Sequence, residues 1–237
     1  MSDDIALNLN NVRQKIAAAA ARCQRDPDSI KLLAVTKTVS AARVGEAIAA
    51  GITSFGENYV QEAREKITRI NDPVEWHMIG YLQANKVKYA VRLFDYIHSI
   101  DRLDLAKEID KRAGLAKRIM NILIEINISG EQTKSGIPTA HAIALIKDIS
   151  LLENISVQGL MTMAPYSDNP EHSRPYFSEL KNFQKKIIRE GITGIQMNEL
   201  SMGMTDDFEI AIEEGATIVR IGRAIFGERK SKNNQNI

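Results

Sequence analysis

Between Lys31 and Ile221 the chain alternates short apolar runs with amphipathic helical stretches eight times, and that rhythm restricts its fold more than any other feature. The first run, Leu32-Leu33-Ala34-Val35, has no polar face, as expected of a strand covered on both sides. Further strands are predicted over 53–58, 75–80, 96–100, 120–127, 156–162, 196–201 and 217–221. Helices are predicted over 41–50, 59–70, 83–91, 102–113, 138–150, 174–190 and 206–214, with a helical turn after the last strand. Gly51, Gly191 and Gly215 stand where helices stop, and Pro138 and Pro175 stand in first turns. Eight such units with no long antiparallel stretch predict a parallel sheet closed into a (β/α)8 TIM barrel. A further helix over 4–25 precedes the first strand and is expected to cap or flank the barrel. Residues 1–229 read as one domain and 230–237 as a disordered polar tail.

A barrel of this kind carries its chemistry at the carboxyl ends of its strands. Those ends offer Lys37, Glu57 with Asn58, His77 with Gly80, Ser99, Asn127, Met161 with Thr162, Ser201 and Arg220. The loops after the seventh and eighth strands are where barrels often bind phosphate. Here they are Ser201-Met202-Gly203-Met204-Thr205 and Gly222-Arg223, glycine turns that open helical segments and can aim N–H groups at an anion. A lysine amine opposite a phosphate cradle suits pyridoxal phosphate held as a Schiff base. Arg220 lies on the strand that carries half the cradle and can reach the pyridine nitrogen. An always-cationic neighbour disfavours a proton there and makes the cofactor a poor electron sink. That leaves racemase-like chemistry or cofactor holding without turnover. A sugar-phosphate enzyme with Lys37 as a substrate Schiff base also stays open.

Other classes receive no support. Thirty-one basic residues against thirty acidic ones give a net charge of +1, with no basic excess for a nucleic acid or a membrane surface. One cysteine, Cys23, and four scattered histidines make a disulfide framework or metal site unexpected. The acidic Met1-Ser2-Asp3-Asp4 start lacks the regions of a signal peptide, so a cytoplasmic protein is expected.

Seven ordered motifs resemble the YggS/PROSC family of pyridoxal phosphate homeostasis proteins. They are Ala34-Val35-Thr36-Lys37-Thr38, the segment from Phe55 to Glu62, that from Trp76 to Lys86, Asn127-Ile128-Ser129 with Lys134-Ser135-Gly136, Gly159-Leu160-Met161-Thr162-Met163, the segment from Leu200 to Phe208, and that from Val219 to Gly227. The resemblance implies a barrel like the N-terminal domain of alanine racemase. It implies a pyridoxal 5′-phosphate Schiff base on Lys37 and phosphate contacts among Ser201, Gly222 and Arg223. Arg220 is implied at the ring nitrogen, with Asn58 and His77 in the pocket wall. Val39-Ser40 departs from the basic residue and proline that many members carry there. Ten residues follow Gly227, so the second-domain tyrosine of a racemase is not expected, and Tyr59, Tyr81 and Tyr166 are expected as packed loop aromatics. The implied role is a carrier or buffer of the cofactor and not an enzyme, with a small amino-acid racemase as the alternative. The expected partners are the cofactor and apo forms of enzymes that use it, for a monomeric chain.

Overall fold

The computed structural model describes residues 4–131 and 134–228. The tail proposed over 230–237 lies outside the described residues. Eight parallel strands close on themselves: β1 (Lys31–Val35), β2 (Ser54–Glu57), β3 (Glu75–Met78), β4 (Tyr96–Ile100), β5 (Met120–Asn127), β7 (Ile155–Met161), β8 (Ile195–Ser201) and β9 (Ile218–Ile221). β9 returns to β1 with Arg220 opposite Leu33, and this pairing closes the barrel. β6 (Ile137–Pro138) is a two-residue strand that adds to the carboxyl end of β5, a local pairing with no periodicity to predict it.

Helices α2 (Ala41–Ala49), α3 (Val60–Ile67), α4 (Val87–Leu93), α5 (Leu103–Leu115), α6 (Thr139–Ile149), α7 (Arg174–Arg189) and α8 (Phe208–Glu213) follow the strands, and α9 (Arg223–Phe226) is the turn after β9. Most expected boundaries shift by one to three residues, as caps and fraying allow. Helix 83–91 divides into a 3-10 turn over Ala84–Lys86 and then α4. Where the chain leaves α2 and α8, Gly51 and Gly215 adopt φ of +89° and +101°, the left-handed conformation of a helix stop.

α1 (Ile5–Arg22) flanks the barrel and does not cap it. Asp4 accepts the Leu7 N–H at 3.1 Å, and Ile5, Leu9, Val12 and Ile16 form the buried stripe. That stripe packs beside α2, α8 and α9, and Asn8 donates to the Ile225 carbonyl at 3.1 Å. Most of the apolar core lies between the barrel and its helices; a smaller cluster of Leu33, Leu123, Met161 and Ile218 fills the interior. The strands read as apolar runs because both faces are covered.

β7 and β8 come closest at Gly159, which pairs with Glu199. A Cβ there would lie 1.9 Å from the Glu199 carbonyl oxygen. Gly159→Ala is expected to part the two strands and lower stability by about 3 kcal/mol or more, measured as a fall in the urea midpoint.

Candidate functional site

Alternation along β1 puts Leu33 in the interior and carries Lys37, four residues on, to the interior's mouth. Thr36 points the other way and is fully buried. Thr36 Oγ1 donates to Glu57 Oε1 at 2.6 Å. Lys66 Nζ, on α3, donates to Glu57 Oε1 at 2.7 Å, to Glu62 Oε1 at 2.7 Å and to the Thr36 carbonyl at 2.5 Å. The Thr38 N–H donates to Glu62 Oε1 at 2.5 Å. Thr38 has φ of +65°, an uncommon backbone state for a β-branched residue. Two carboxylates and one buried ammonium therefore clamp both neighbours of Lys37. Burial raises the Glu57 carboxyl above its ordinary range while Lys66 opposes that shift.

On the far side of the mouth stands Arg220, buried on β9. Its Nη1 donates to the Ser201 carbonyl at 2.7 Å and to Ser201 Oγ at 2.8 Å, and its Nη2 donates to the Thr162 carbonyl at 2.9 Å. All three acceptors are neutral. Burial lowers its pKa to about 10, with Asp207 and Glu125 opposing, so it stays cationic at neutral pH. A buried guanidinium with only neutral acceptors favours an anion nearby.

The two glycine turns meet beside it. The Arg220 N–H donates to the Gly203 carbonyl at 3.0 Å, and Gly203 has φ of +90°. The Met204 N–H donates to Asp207 Oδ1 at 2.6 Å. Gly222 opens α9, whose first N–H groups have no intrahelical acceptor. A Cβ on Gly222 would come 3.2 Å from the Val35 carbonyl oxygen, so this turn sits tight against the strand that delivers Lys37. The Arg223 side chain ties the turns together through Asp206, with Nη2 2.6 Å from Oδ1. Asn58 Oδ1 is buried without a hydrogen-bond partner, and Asn58 backs onto Gly80, where a Cβ would meet its carbonyl oxygen at 2.4 Å.

The residues singled out in the sequence lie at the carboxyl ends of the strands, but Glu57 and Ser99 face outward and not into the interior. Their roles divide. Lys37, Asn58, Gly222 and Arg223 belong to the rim, and Arg220 lies beneath it. Ser201 is fully buried, with its hydroxyl between Arg220 Nη1 and His98 Nδ1, the latter at 3.0 Å. His77 is also fully buried and meets His98 Nε2 through Nδ1 at 2.9 Å. Ser99 faces outward and donates to the Gly80 carbonyl at 2.7 Å. The interior residue of β4 is its neighbour His98, which period-two alternation from Tyr96 would have identified. Lys66 was missed as well, because helical periodicity makes it a solvated lysine. Tyr59, Tyr81 and Tyr166 are not packed as expected: they are 61%, 59% and 82% exposed.

Glu125, on β5 across the barrel from β1, is another interior carboxyl. Burial, with Asp101 nearby, raises its pKa to about 7 against the pull of Arg220. A cavity of about 1490 Å³ opens at the opposite, amino-terminal end of the strands, where Lys31, Glu75, Tyr96 and Glu199 line it. Its Lys31 and Glu75 pair at 2.7 Å, and Lys37 is not among its lining residues. No group of three or more His, Cys, Asp or Glu side chains that could hold a metal occurs among the described residues. No helix among them is long and apolar enough to cross a membrane.

Lys66→Met would leave Glu57 and Glu62 without their shared cation. A loss of about 3–5 kcal/mol is expected in urea unfolding. Glu125 predicts a pH dependence. The folded chain keeps a proton up to about pH 7 that an unfolded glutamate releases near 4.5, so stability falls as pH rises between those values. Glu125→Gln should remove that fall, on the order of 3 kcal/mol, when urea midpoints at pH 5 and pH 8 are compared.

A family model described as "Alanine racemase, N-terminal domain" matches residues 7–230. The chain is 45% identical over 223 residues to a pyridoxal phosphate homeostasis protein of Aquifex aeolicus (strain VF5), covering 94% of this chain and 97% of that one. It is 42% identical over 237 residues to the protein of that name from Escherichia coli (strain K12), covering 96% and 97%. Among solved structures it is similar to PipY of Synechococcus elongatus PCC7942 with PLP bound. The TM-score is 0.81 at 34% identity, over 94% of this chain and all of that one.

Proposed function

We propose that this chain, which belongs to the pyridoxal phosphate homeostasis family built on the alanine racemase N-terminal domain, binds pyridoxal 5′-phosphate and carries or buffers it without turning over a substrate. The observation that carries the reading is the pairing of Lys37 at the mouth with the buried Arg220 cation, whose hydrogen bonds go only to neutral oxygens. A phosphorylated aldehyde meets both: the amine can take the aldehyde as a Schiff base, and the buried cation favours the anion. The PLP-bound PipY neighbour supports the cofactor's identity.

The residues then take these roles. Lys37 holds the aldehyde carbon. The N–H groups of Gly203, Gly222 and Arg223 face the phosphate, while those of Met202 and Met204 are spent on Ile218 and Asp207, and Ser201 anchors the first turn through its bonds to Arg220. The Arg223 side chain braces the two turns through Asp206. Asn58 and His77 belong to the walls, His77 at depth. Arg220 faces the ring nitrogen. When bound, the cofactor supplies an electrophilic imine and a conjugated ring; a cation at the ring nitrogen weakens that ring as an electron sink.

Racemisation would ask for an acid or base on each face of a substrate. Lys37 supplies one. The tyrosines nearest in sequence to the rim motifs, Tyr59 and Tyr81, are more than half exposed, and Arg102 stacks over the Tyr81 ring at 5.3 Å. The clamp on Thr36 and Thr38 holds the lysine's backbone still, which suits storage of a reactive aldehyde. The recipients of a carried cofactor are apo forms of enzymes that use it.

Protein mixed with pyridoxal 5′-phosphate should show a visible Schiff-base absorption band that Lys37→Ala abolishes, and survival of the band would remove the lysine from its role. Amino acids incubated with loaded protein in deuterium oxide should exchange no Cα hydrogen above the free-cofactor rate. Lysine-dependent exchange at a useful rate would replace the carrier reading with a racemase. Transfer to an apoenzyme, followed by recovery of that enzyme's activity, should require Lys37.

A further inference from the structure

Five side chains run in contact from the amino-terminal end of the barrel to its mouth. Glu75 Oε2 accepts Lys31 Nζ at 2.7 Å and Ser54 Oγ at 3.2 Å, and it faces His77 Nε2, a buried atom with no hydrogen-bond partner, at an electrostatic distance of 3.5 Å. His77 Nδ1 meets His98 Nε2 at 2.9 Å, and His98 Nδ1 meets Ser201 Oγ at 3.0 Å. Ser201 Oγ takes Arg220 Nη1 at 2.8 Å. The His77 ring lies flat against Tyr96 with centroids 4.7 Å apart, and both histidines are fully buried.

The carboxylate end biases the direction of the bonds that follow it. A carboxylate can only accept and a guanidinium can only donate. The neighbouring His77 and then Lys31 hold the Glu75 carboxyl down at about 2 against its partial burial, so it is a carboxylate at neutral pH and a hydrogen on His77 Nε2 is favoured over a lone pair. Burial holds both rings in the neutral form, with the Lys31 and Arg220 cations adding to that effect and Glu75 and Asp95 opposing it at His77. A neutral His77 protonated at Nε2 has a bare Nδ1, which accepts from His98 Nε2–H. His98 Nδ1 is then bare and takes the Ser201 hydroxyl hydrogen. Ser201 thus turns a lone pair to Arg220, as the guanidinium requires. The reverse direction would set a ring lone pair against a carboxylate at one end and take the His98 acceptor from the Ser201 hydroxyl hydrogen at the other.

We propose that Glu75, His77 and His98 are positioning residues for Arg220: the carboxylate favours the His77 hydrogen on Nε2 electrostatically, and His77, His98 and Ser201 then form a one-way hydrogen-bonded relay that leaves a serine lone pair to the guanidinium and so fixes where it points. The value of this for the cofactor rests on the assignment of Arg220 to the ring nitrogen. His77 acts two side chains away from Arg220, through His98 and Ser201. The relay also makes Glu75, half-exposed at the far end of the barrel, a determinant of the cofactor site.

Ring ¹⁵N chemical shifts of cofactor-free protein at neutral pH test the direction. Both His77 and His98 should be neutral and protonated at Nε2; a charged ring, or hydrogen on Nδ1 of either, overturns the relay. Glu75→Gln tests the coupling, because an amide can donate as well as accept. In that variant an Nδ1–H population should appear on both rings, and the Arg220 guanidinium hydrogens should exchange with solvent several-fold faster. Lys31→Gln, which disturbs the same end but keeps the carboxylate, should leave both rings as in the wild type. A switch confined to His77, or one that follows Lys31→Gln equally, overturns the coupling. If Glu75→Gln does not fold, the wild-type shifts alone decide direction, and Ser54→Ala, which removes one donor from Glu75 and keeps the carboxylate, must leave them unchanged. In loaded protein Glu75→Gln should release pyridoxal 5′-phosphate several-fold faster. Unchanged release from a variant whose rings have switched overturns the link to Arg220. A wild type that takes up no cofactor would sink the binding reading, and the ring shifts would still decide the relay.

Discussion

A guanidinium removed from water and given three neutral oxygens is the interaction on which the rest of this barrel depends. Desolvating a cation costs several kcal/mol, and hydrogen bonds to carbonyls return only part of it. The Arg220 bonds reach the Ser201 and Thr162 carbonyls, at the ends of the two strands next along the sheet from its own. The cation therefore ties β7, β8 and β9 together at the rim. It also leaves positive potential directed at the mouth, since no carboxylate answers it at contact distance among the described salt bridges. A structural role alone would be served as well by a packed apolar side chain.

The side of the mouth that carries Lys37 is built on the opposite logic. There the cation has its counter-ions at contact: Lys66 lies between Glu57 and Glu62 behind the strand, and the three hydrogen-bond to Thr36 and Thr38. The left-handed Thr38 persists because its N–H is held by a carboxylate. One side of the mouth is thus held by a hydrogen-bonded ion-pair network, and the other keeps a cation with only neutral acceptors. A site so arranged holds an anionic aldehyde firmly.

Much of this was legible from residues alone. The eight apolar runs specified the barrel, because a strand covered on both faces cannot alternate and a parallel sheet of that length with no polar edge closes. Closure then put Lys37, Ser201 and Arg220 at one end of the barrel, Lys37 on the rim and the other two buried below it. Reading strand ends as a line failed where side chains alternate. Ser99 was chosen over His98, although only every second residue of a strand faces inward. The two-residue β6 carries too little sequence for any periodicity to reveal. Lys66 was invisible because α3 is otherwise a polar surface helix, and only packing against Thr36 shows that its ammonium is buried.

The sequence by itself determined the architecture, the lysine at its mouth and the two glycine turns opposite, since these follow from patterns within each segment. Only the tertiary structure decided the partners of the buried polar groups. The order Glu75, His77, His98, Ser201, Arg220 joins four strands whose members lie up to 145 residues apart, and hydrogen-bond direction depends on which atoms meet. Local propensity carries no information about such meetings. They arise when the sheet closes and the interior, too narrow for water around every polar group, obliges those groups to satisfy one another.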